Sequence, residues 1–260
     1  MSKPTFCYWS VADGEYADMM TCCIHSARQV GVQQDFHVFS DRKIPGASVQ
    51  PAGKFSKSLY LFKFSFLKEV ANLDYDYFVF LDADNYFVRH PGNLLNQLQG
   101  APVHIVLESN CAAENNVRRD WWDCPLENYV ELMKTAGVRS RSIFNTNAGF
   151  WIVHRNAVER VCQLADEFWQ YAKRQGYIFT EEAPLAYVGH MLMGNPYRHT
   201  LNANRDVWAS DWAGHFQGRL PANEKWNFID YMSETQYEVN PCIVHAMRSK
   251  QMMIDAALRL

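Results

Sequence analysis

No apolar run in this sequence approaches the ~20 residues that a membrane-spanning helix requires. Nor does one sign of charge dominate. Against 28 acidic residues stand 25 basic ones, a formal net charge of −3, so electrostatics offers no pointer to nucleic acid or an anionic membrane. Cysteine is present but unpatterned: seven residues lie scattered, with Cys22-Cys23 adjacent and no Cys-x-x-Cys spacing. An odd, unspaced set fits reduced, buried thiols in a cytoplasmic protein better than a disulfide or zinc framework. The first residues lack a signal-peptide pattern and lead straight into a strand. Repeats and low-complexity tracts are absent as well. What the chain does have is core-forming material, 48% apolar and 14% aromatic over 260 residues, which excludes a disordered chain and allows a large core.

The most informative stretch is residues 75–90. Tyr77 to Leu81 is an unbroken apolar and aromatic run, the pattern of a strand buried on both faces. It stops at Asp82-Ala83-Asp84, followed by Asn85-Tyr86 and the apolar pair Phe87-Val88. Two carboxylates one residue apart at the end of a buried strand need positive charge between them. A divalent cation carrying nucleotide phosphates supplies it, and ligands of open α/β sheets bind at the carboxyl ends of the strands. A solvated acidic turn is the alternative.

The rest of the chain predicts an α/β architecture. A strand over 5–11, a break at Ala12-Asp13-Gly14-Glu15, a helix over 16–30 and a strand over 35–40 make a βαβ unit. Its first loop falls on the same sheet edge as Asp82 and Asp84, making Asp13 and Tyr16 candidates to hold a nucleotide base. An ordinary acidic helix entry explains them equally well. Residues 41–55 read as loop and 58–70 as a helix with Leu59, Phe62, Phe66 and Leu67 on one side. Lys63 on that helix can face the acidic edge, although a lone helical lysine is usually solvated.

Further on, Pro91-Gly92 turns into a short helix, 103–107 is a strand, and 108–124, carrying Trp121-Trp122, reads either as a mobile loop near the site or as a surface segment. A helix over 127–136 follows. Asn145, Asn147, Ala148 and Gly149 form a polar, small-residue corner before a strand over 150–153, with amides suited to sugar hydroxyls. An amphipathic helix over 156–173 precedes Glu181-Glu182, two acids at a helix mouth with Pro184 in the first turn. The stretch 201–221, with Trp208, Asp211, Trp212 and His215, has the composition of a carbohydrate-holding surface or of irregular structure. Finally, an apolar strand delivers His245, followed by Arg248 and Lys250. An imidazole beside two carboxylates favours manganese over calcium. The two cations suit phosphate oxygens.

In this order the motifs resemble those of the retaining glycosyltransferases of family 8, the group that includes glycogenin and bacterial lipopolysaccharide galactosyltransferases. Asp82-Ala83-Asp84 matches the family's Asp-x-Asp, and Asn147-Ala148-Gly149 its Asn-Ala-Gly, where the amide contacts the donor sugar. Val11, Ala12, Asp13 and Tyr16 stand where the family holds uracil, and Lys63 is similar in place to its Arg or Lys near the nucleotide. Glu181-Glu182 falls where the family carries Asp-Gln, and His245 resembles its third manganese ligand. After His245 the family continues through Gly to Lys-Pro-Trp, whereas here Arg248 and Lys250 stand without Gly, Pro or Trp.

The resemblance implies a single α/β domain of GT-A (Rossmann-like) fold over 1–260, with a mixed central sheet flanked by helices. Residues of about 1–100 would form the nucleotide-binding half, and about 101–260 the acceptor-side half with the C-terminal metal and phosphate segment. It implies Mn²⁺, with Mg²⁺ as the substitute, held by Asp82, Asp84 and His245. A UDP-sugar donor would lie on Val11, Ala12, Asp13, Tyr16, Lys63, Asp82, Ala83, Arg248 and Lys250. Glu182, Glu181 and Asn147 would sit at the reacting sugar, and a hydroxyl acceptor (glycan, lipid-linked sugar, protein or modified base) would complete the reaction. Glu182 would act either as nucleophile in a double displacement or as charge stabiliser during same-face attack. Rival readings are a haloacid-dehalogenase-type phosphatase, a sugar nucleotidylyltransferase and a non-catalytic nucleotide-sugar- or carbohydrate-binding protein. The first wants a Thr after the acids, where Asn85-Tyr86 stands, and the second a Gly-rich basic loop, where Ala12 to Glu15 is acidic.

Overall fold

A computed structural model of the chain describes residues 4–52, 62–92, 94, 100–199, 201 and 205–260. Its spine is a six-stranded sheet built from β1 (Phe6–Val11), β2 (Phe36–Ser40), β3 (Ser48–Pro51), β4 (Tyr77–Leu81), β6 (Val103–Asn110) and β9 (Phe144–His154), in the order β3-β2-β1-β4-β9-β6. β1 to β4 run parallel, and β9 is antiparallel to both β4 and β6. The carboxyl ends of β1, β4 and β6 and the amino-terminal half of β9 therefore share one edge. That mixed sheet is the expected one.

Alternation along β1 and β4 explains the layering. Cys7, Trp9, Phe78 and Phe80 face one core, while Phe6, Tyr8, Tyr77, Val79 and Leu81 face the other. On the first side lie α2 (Phe62–Val70), α3 (Leu126–Thr135), α4 (Val158–Arg174) and α5 (Glu182–Met193). On the second lie α1 (Glu15–Gln29), which buries Met19, Met20, Cys23, Ile24 and Ala27 as its spacing predicts, and α6 (Lys250–Ala257). A side-chain period of 3.6 on the helices and 2 on the strands is enough to specify this sandwich. All seven cysteines are buried and unpaired, as expected. Among the described residues no helix is long and apolar enough to cross a membrane.

Three expectations are corrected. Residues 41–55 contain a strand, β3, which pairs in parallel with β2 at the sheet margin and ends on Pro51, where no further ladder donor is needed. Residues 144–149 are not a corner but the first half of the eleven-residue strand β9. Their polar side chains are buried and satisfied: Asn145 accepts from the Ser109 amide at 2.8 Å, and the Thr146 hydroxyl donates to the Val106 carbonyl. Burial with satisfied hydrogen bonds hides a strand from any apolar pattern. Third, β6 runs on through Asn110, after which β7 (Asp120–Trp121) and β8 (Cys124–Pro125) pair as a hairpin with Trp121 buried beneath it. Leu59 and the short helix after Pro91-Gly92 lie outside the described residues or nearly so.

Two buried histidines set a pH limit. Burial lowers His104 to about 4, with His199 adding to it, and burial likewise lowers His190 to about 4. Both are neutral in the folded chain but take up a proton near pH 6.5 once unfolded. Their contribution is complete above about pH 6.5 and is lost as pH falls through 4, up to roughly 3 kcal/mol each. Urea midpoints should therefore fall steeply between pH 6.5 and 4.5, and His104→Phe should flatten that limb. A midpoint unchanged from pH 7 to 5 would exclude the effect.

Candidate active site

The acidic motif is placed by backbone and side-chain hydrogen bonds alike. The Asp82 amide donates to the Gly149 carbonyl at 3.0 Å, continuing the β4–β9 ladder by one bond. Asn85 then locks the turn, donating to the Asp82 and Gly149 carbonyls at 2.8 and 3.0 Å and accepting from the Trp208 indole at 2.7 Å. Trp208 and Asp211, read from the sequence as sugar-binding candidates, are instead buried beneath the site. Asp211 accepts from the His215 and Phe216 amides and so shapes the loop that follows.

His245 arrives from 161 residues away through a small second sheet. β5 (Asn85–Phe87) pairs antiparallel with β11 (Ile243–His245), which runs parallel to β10 (Trp208–Ser210). The register sets His245 opposite Asn85, and the Ala246 amide donates to the Asp84 carbonyl at 2.8 Å. Its Nε2 then lies 2.9 Å from Asp84 Oδ1. Lys250, the first residue of α6, reaches Asp84 Oδ2 at 2.9 Å. Burial alone would raise Asp84, but the His245 imidazole and the Lys250 ammonium outweigh it and hold the carboxyl well below the usual carboxylate range. For His245, burial acts to lower and Asp84 to raise, and Asp84 prevails.

Asp82 is neutralised from the other side. The buried Lys63 ammonium lies 2.8 Å from Asp82 Oδ1 and 2.6 Å from Glu181 Oε1, over the Phe80 ring. It donates weakly to the Ala148 carbonyl at 3.5 Å. Burial still leaves Asp82 raised, because Lys63 compensates only in part and Asp84 adds repulsion. Asp82, Asp84 and His245 offer ligand atoms all within 4.8 Å of one another. The donor set fits a divalent ion: two carboxylates and an imidazole whose Nδ1 is buried without a hydrogen-bond partner. Gly149 makes room for that ring, since a Cβ there would stand 2.9 Å from His245 Cε1 and Nδ1 and 3.0 Å from Asn147 Oδ1.

This contact yields a prediction. Gly149→Ala should displace the imidazole, lower stability by about 1–3 kcal/mol and abolish stabilisation by a metal-bound ligand. Gly189→Ala is the control, because its Cβ would press on the flexible end of Ile105, 2.3 Å away, on α5 and outside the site. It should cost stability and leave ligand stabilisation intact; equal loss in both variants would refute the argument. Thermal melts with and without Mn²⁺ and a nucleotide sugar decide.

These residues border a cleft of about 430 Å³. Val11, Asp13, Tyr16, Lys63, Asp82, Ala83, Asp84, Glu181, His245 and Lys250 all line it, as do Phe62 and Met247. Asp13 is fixed by the Asp41 amide at 2.8 Å and raised by burial, and Tyr16 is half exposed with Lys250 5.6 Å from its ring centre. Ala12 is buried, its carbonyl accepting from Ser40. Arg248 is not brought in; its guanidinium donates to the Trp212 carbonyl at 3.1 Å, away from the cleft lining. Asn147 turns its Oδ1 to the Gly149 amide at 2.9 Å. Glu182 accepts from the Trp122 indole at 2.6 Å and from the Ala148 amide at 3.4 Å. Burial pushes it well above its usual range, with Glu108 and Glu181 adding to the shift.

Glu108 and Asn85 are the residues that motif reading passes over, whereas Trp122 lies in the 108–124 segment that the sequence leaves between a mobile loop near the site and a surface segment. Glu108 caps the apolar run of β6 as Asp82 caps that of β4, and that shared pattern is the signal that could have found it. It accepts from Asn145 at 3.3 Å; burial raises it, and Arg205 opposes the rise.

No family model matches the sequence, and no curated protein matches it. Among solved structures, the apo form of the WbbM bifunctional glycosyltransferase is similar in fold, with a TM-score of 0.58 at 14% identity. The likeness covers 95% of this chain and 46% of that one, so this chain spans about half the length of its neighbour. At that identity the likeness speaks to architecture alone. Together with the mixed sheet of six strands between helical layers, it gives the chain the GT-A-like α/β fold of a glycosyltransferase.

Proposed function

We propose that the chain transfers a glycosyl group from a nucleoside-diphosphate sugar, a UDP-sugar, to an acceptor hydroxyl, with retention of configuration. One observation carries the reading: Asp82 and Asp84 meet His245, 161 residues further on from Asp84, at the ligand-binding edge of a glycosyltransferase fold. When bound there, a divalent ion such as Mn²⁺ supplies Lewis-acid stabilisation of the diphosphate leaving group.

The chain's own residues account for the rest. Tyr16 offers an exposed ring, and Asp13 a carboxylate, in the cleft lining for the uracil. Lys250 presents an ammonium on the same wall, where charge develops on the departing diphosphate. Lys63 keeps Asp82 and Glu181 together, and so holds the start of α5 against the end of β4. Both oxygens of Glu182 are already hydrogen-bonded. Those bonds tie the carboxyl in place, which supports same-face attack by the acceptor over a double displacement through Glu182. Retention and the uridine carrier draw their support from the family-8 resemblance.

The test is UDP release and thermal stabilisation with a panel of UDP-sugars, with and without Mn²⁺. A shift for one donor that requires the metal, with slow release of UDP into water, is expected. A folded protein stabilised by none of them would point to a non-catalytic member of the fold. Pyrophosphate-dependent consumption of the donor would point to a nucleotidylyltransferase.

A further inference from the structure

The β7–β8 hairpin places one exposed ring against Glu182, whose neighbour Glu181 lines the cleft. Its register pairs Trp121 with Cys124, so the tip is two residues, Trp122 and Asp123, with φ of 54° and 57°. Left-handed backbone at both tip positions suits Asn, Asp or Gly, and a tryptophan there is strained. Alternation along the strand divides the two indoles. Trp121 is buried edge-on to Tyr129 at 5.0 Å, whereas Trp122 points out and is 48% exposed. Yet Trp122 is fixed in direction, because its N–H donates to Glu182 Oε2 at 2.6 Å. The other Glu182 oxygen accepts from Ala148, two residues after Thr146 and next to Gly149.

Packing does not account for a bulky ring held in a disfavoured conformation with half its surface in water. The arrangement does match the chemistry of a sugar ring. A flat aromatic face takes the C–H face of a pyranose, and the carboxyl beside it, each oxygen keeping a second lone pair, hydrogen-bonds the hydroxyls on the rim. An acyl chain presents no such combination.

We propose that Trp122 is the acceptor platform: it stacks on a pyranose ring, which makes the acceptor a carbohydrate, and its indole N–H positions Glu182 beside that ring. This rests on the glycosyltransferase reading above. The platform is tested by saturation-transfer NMR with glucose, galactose, N-acetylglucosamine and lactose, in the presence of UDP and Mn²⁺, on wild type, Trp122→Asn and Trp122→Phe. Asn adopts the left-handed backbone readily, and position 122 is exposed, so that variant should fold; thermal melting and UDP calorimetry check it. At least one saccharide should bind wild type, weaken about tenfold or more in Trp122→Asn and stay within roughly threefold in Trp122→Phe. UDP affinity should be equal in all three proteins. Equal saccharide binding to Trp122→Asn, or none to a wild type that binds UDP, would overturn the proposal. Trp122-dependent saccharide binding without any nucleotide binding would instead sink the transferase reading and leave the platform standing.

Discussion

Asp84→Ala should lose every trace of metal-dependent donor binding and at the same time unfold more easily. Asp84 sits at the centre of the only group of three or more metal-competent side chains among the described residues, bonded to His245 on one oxygen and Lys250 on the other. Breaking a buried ion pair by deleting one partner typically costs about 3–5 kcal/mol. The low end, about 3 kcal/mol, applies here, because Lys250 reaches solvent and His245 can shed its proton once Asp84 is gone. Turnover should fall about 10²- to 10³-fold, the loss expected for one preorganised group that stabilises developing charge. Asp84→Asn separates the two effects. It keeps the volume and one acceptor oxygen, so most stability should return while Mn²⁺-dependent donor stabilisation stays absent. Thermal melts and donor titrations on all three proteins read both quantities. A donor shift of wild-type size in Asp84→Asn would remove Asp84 from the site.

How far this site could be read from the chain depended on what each residue touches. Asp82 and Asp84 were legible because an apolar run ending in acids is anomalous by local rules alone. The same logic should have flagged Glu108, but β6 continues beyond it and the acid looked like the start of a polar loop. His245 was legible as the end of a short apolar strand, although its meeting with Asp84 depends on a strand pairing no local pattern encodes. Arg248 and Lys250 illustrate the limit. Two residues apart, they had equal claims on phosphate, and only the entry of the chain into α6 directs Lys250 into the cleft and Arg248 to the Trp212 carbonyl. Trp208 misled for a related reason. An indole beside an acid and an amide has the composition of a sugar site, yet here its N–H satisfies Asn85 inside the core. Trp122, with the same composition, is the exposed one, and exposure is decided by the hairpin register.

Lys63→Met should reveal how much of the architecture depends on one buried charge. Methionine keeps the length and the contact with Phe80 but leaves Asp82 and Glu181 facing each other without the ammonium 2.8 and 2.6 Å away. Burial tends to lower the lysine, yet the two carboxylates more than offset that and raise it, so it stays charged across the working range. With it removed, at least one carboxyl must have a folded-state pKa above its unfolded value. The folded chain then binds more protons than the unfolded one, and stability falls as pH rises. The deficit against wild type should be about 3–5 kcal/mol at pH 8 and shrink toward pH 5 as the pair takes up a proton. Urea unfolding of both proteins at pH 8, 6.5 and 5 measures it. A gap that stays constant with pH would refute the role of the Lys63 charge in holding the two carboxyls. A narrowing gap would mean that its charge is what joins Asp82, at the end of β4, to Glu181, at the entry to α5.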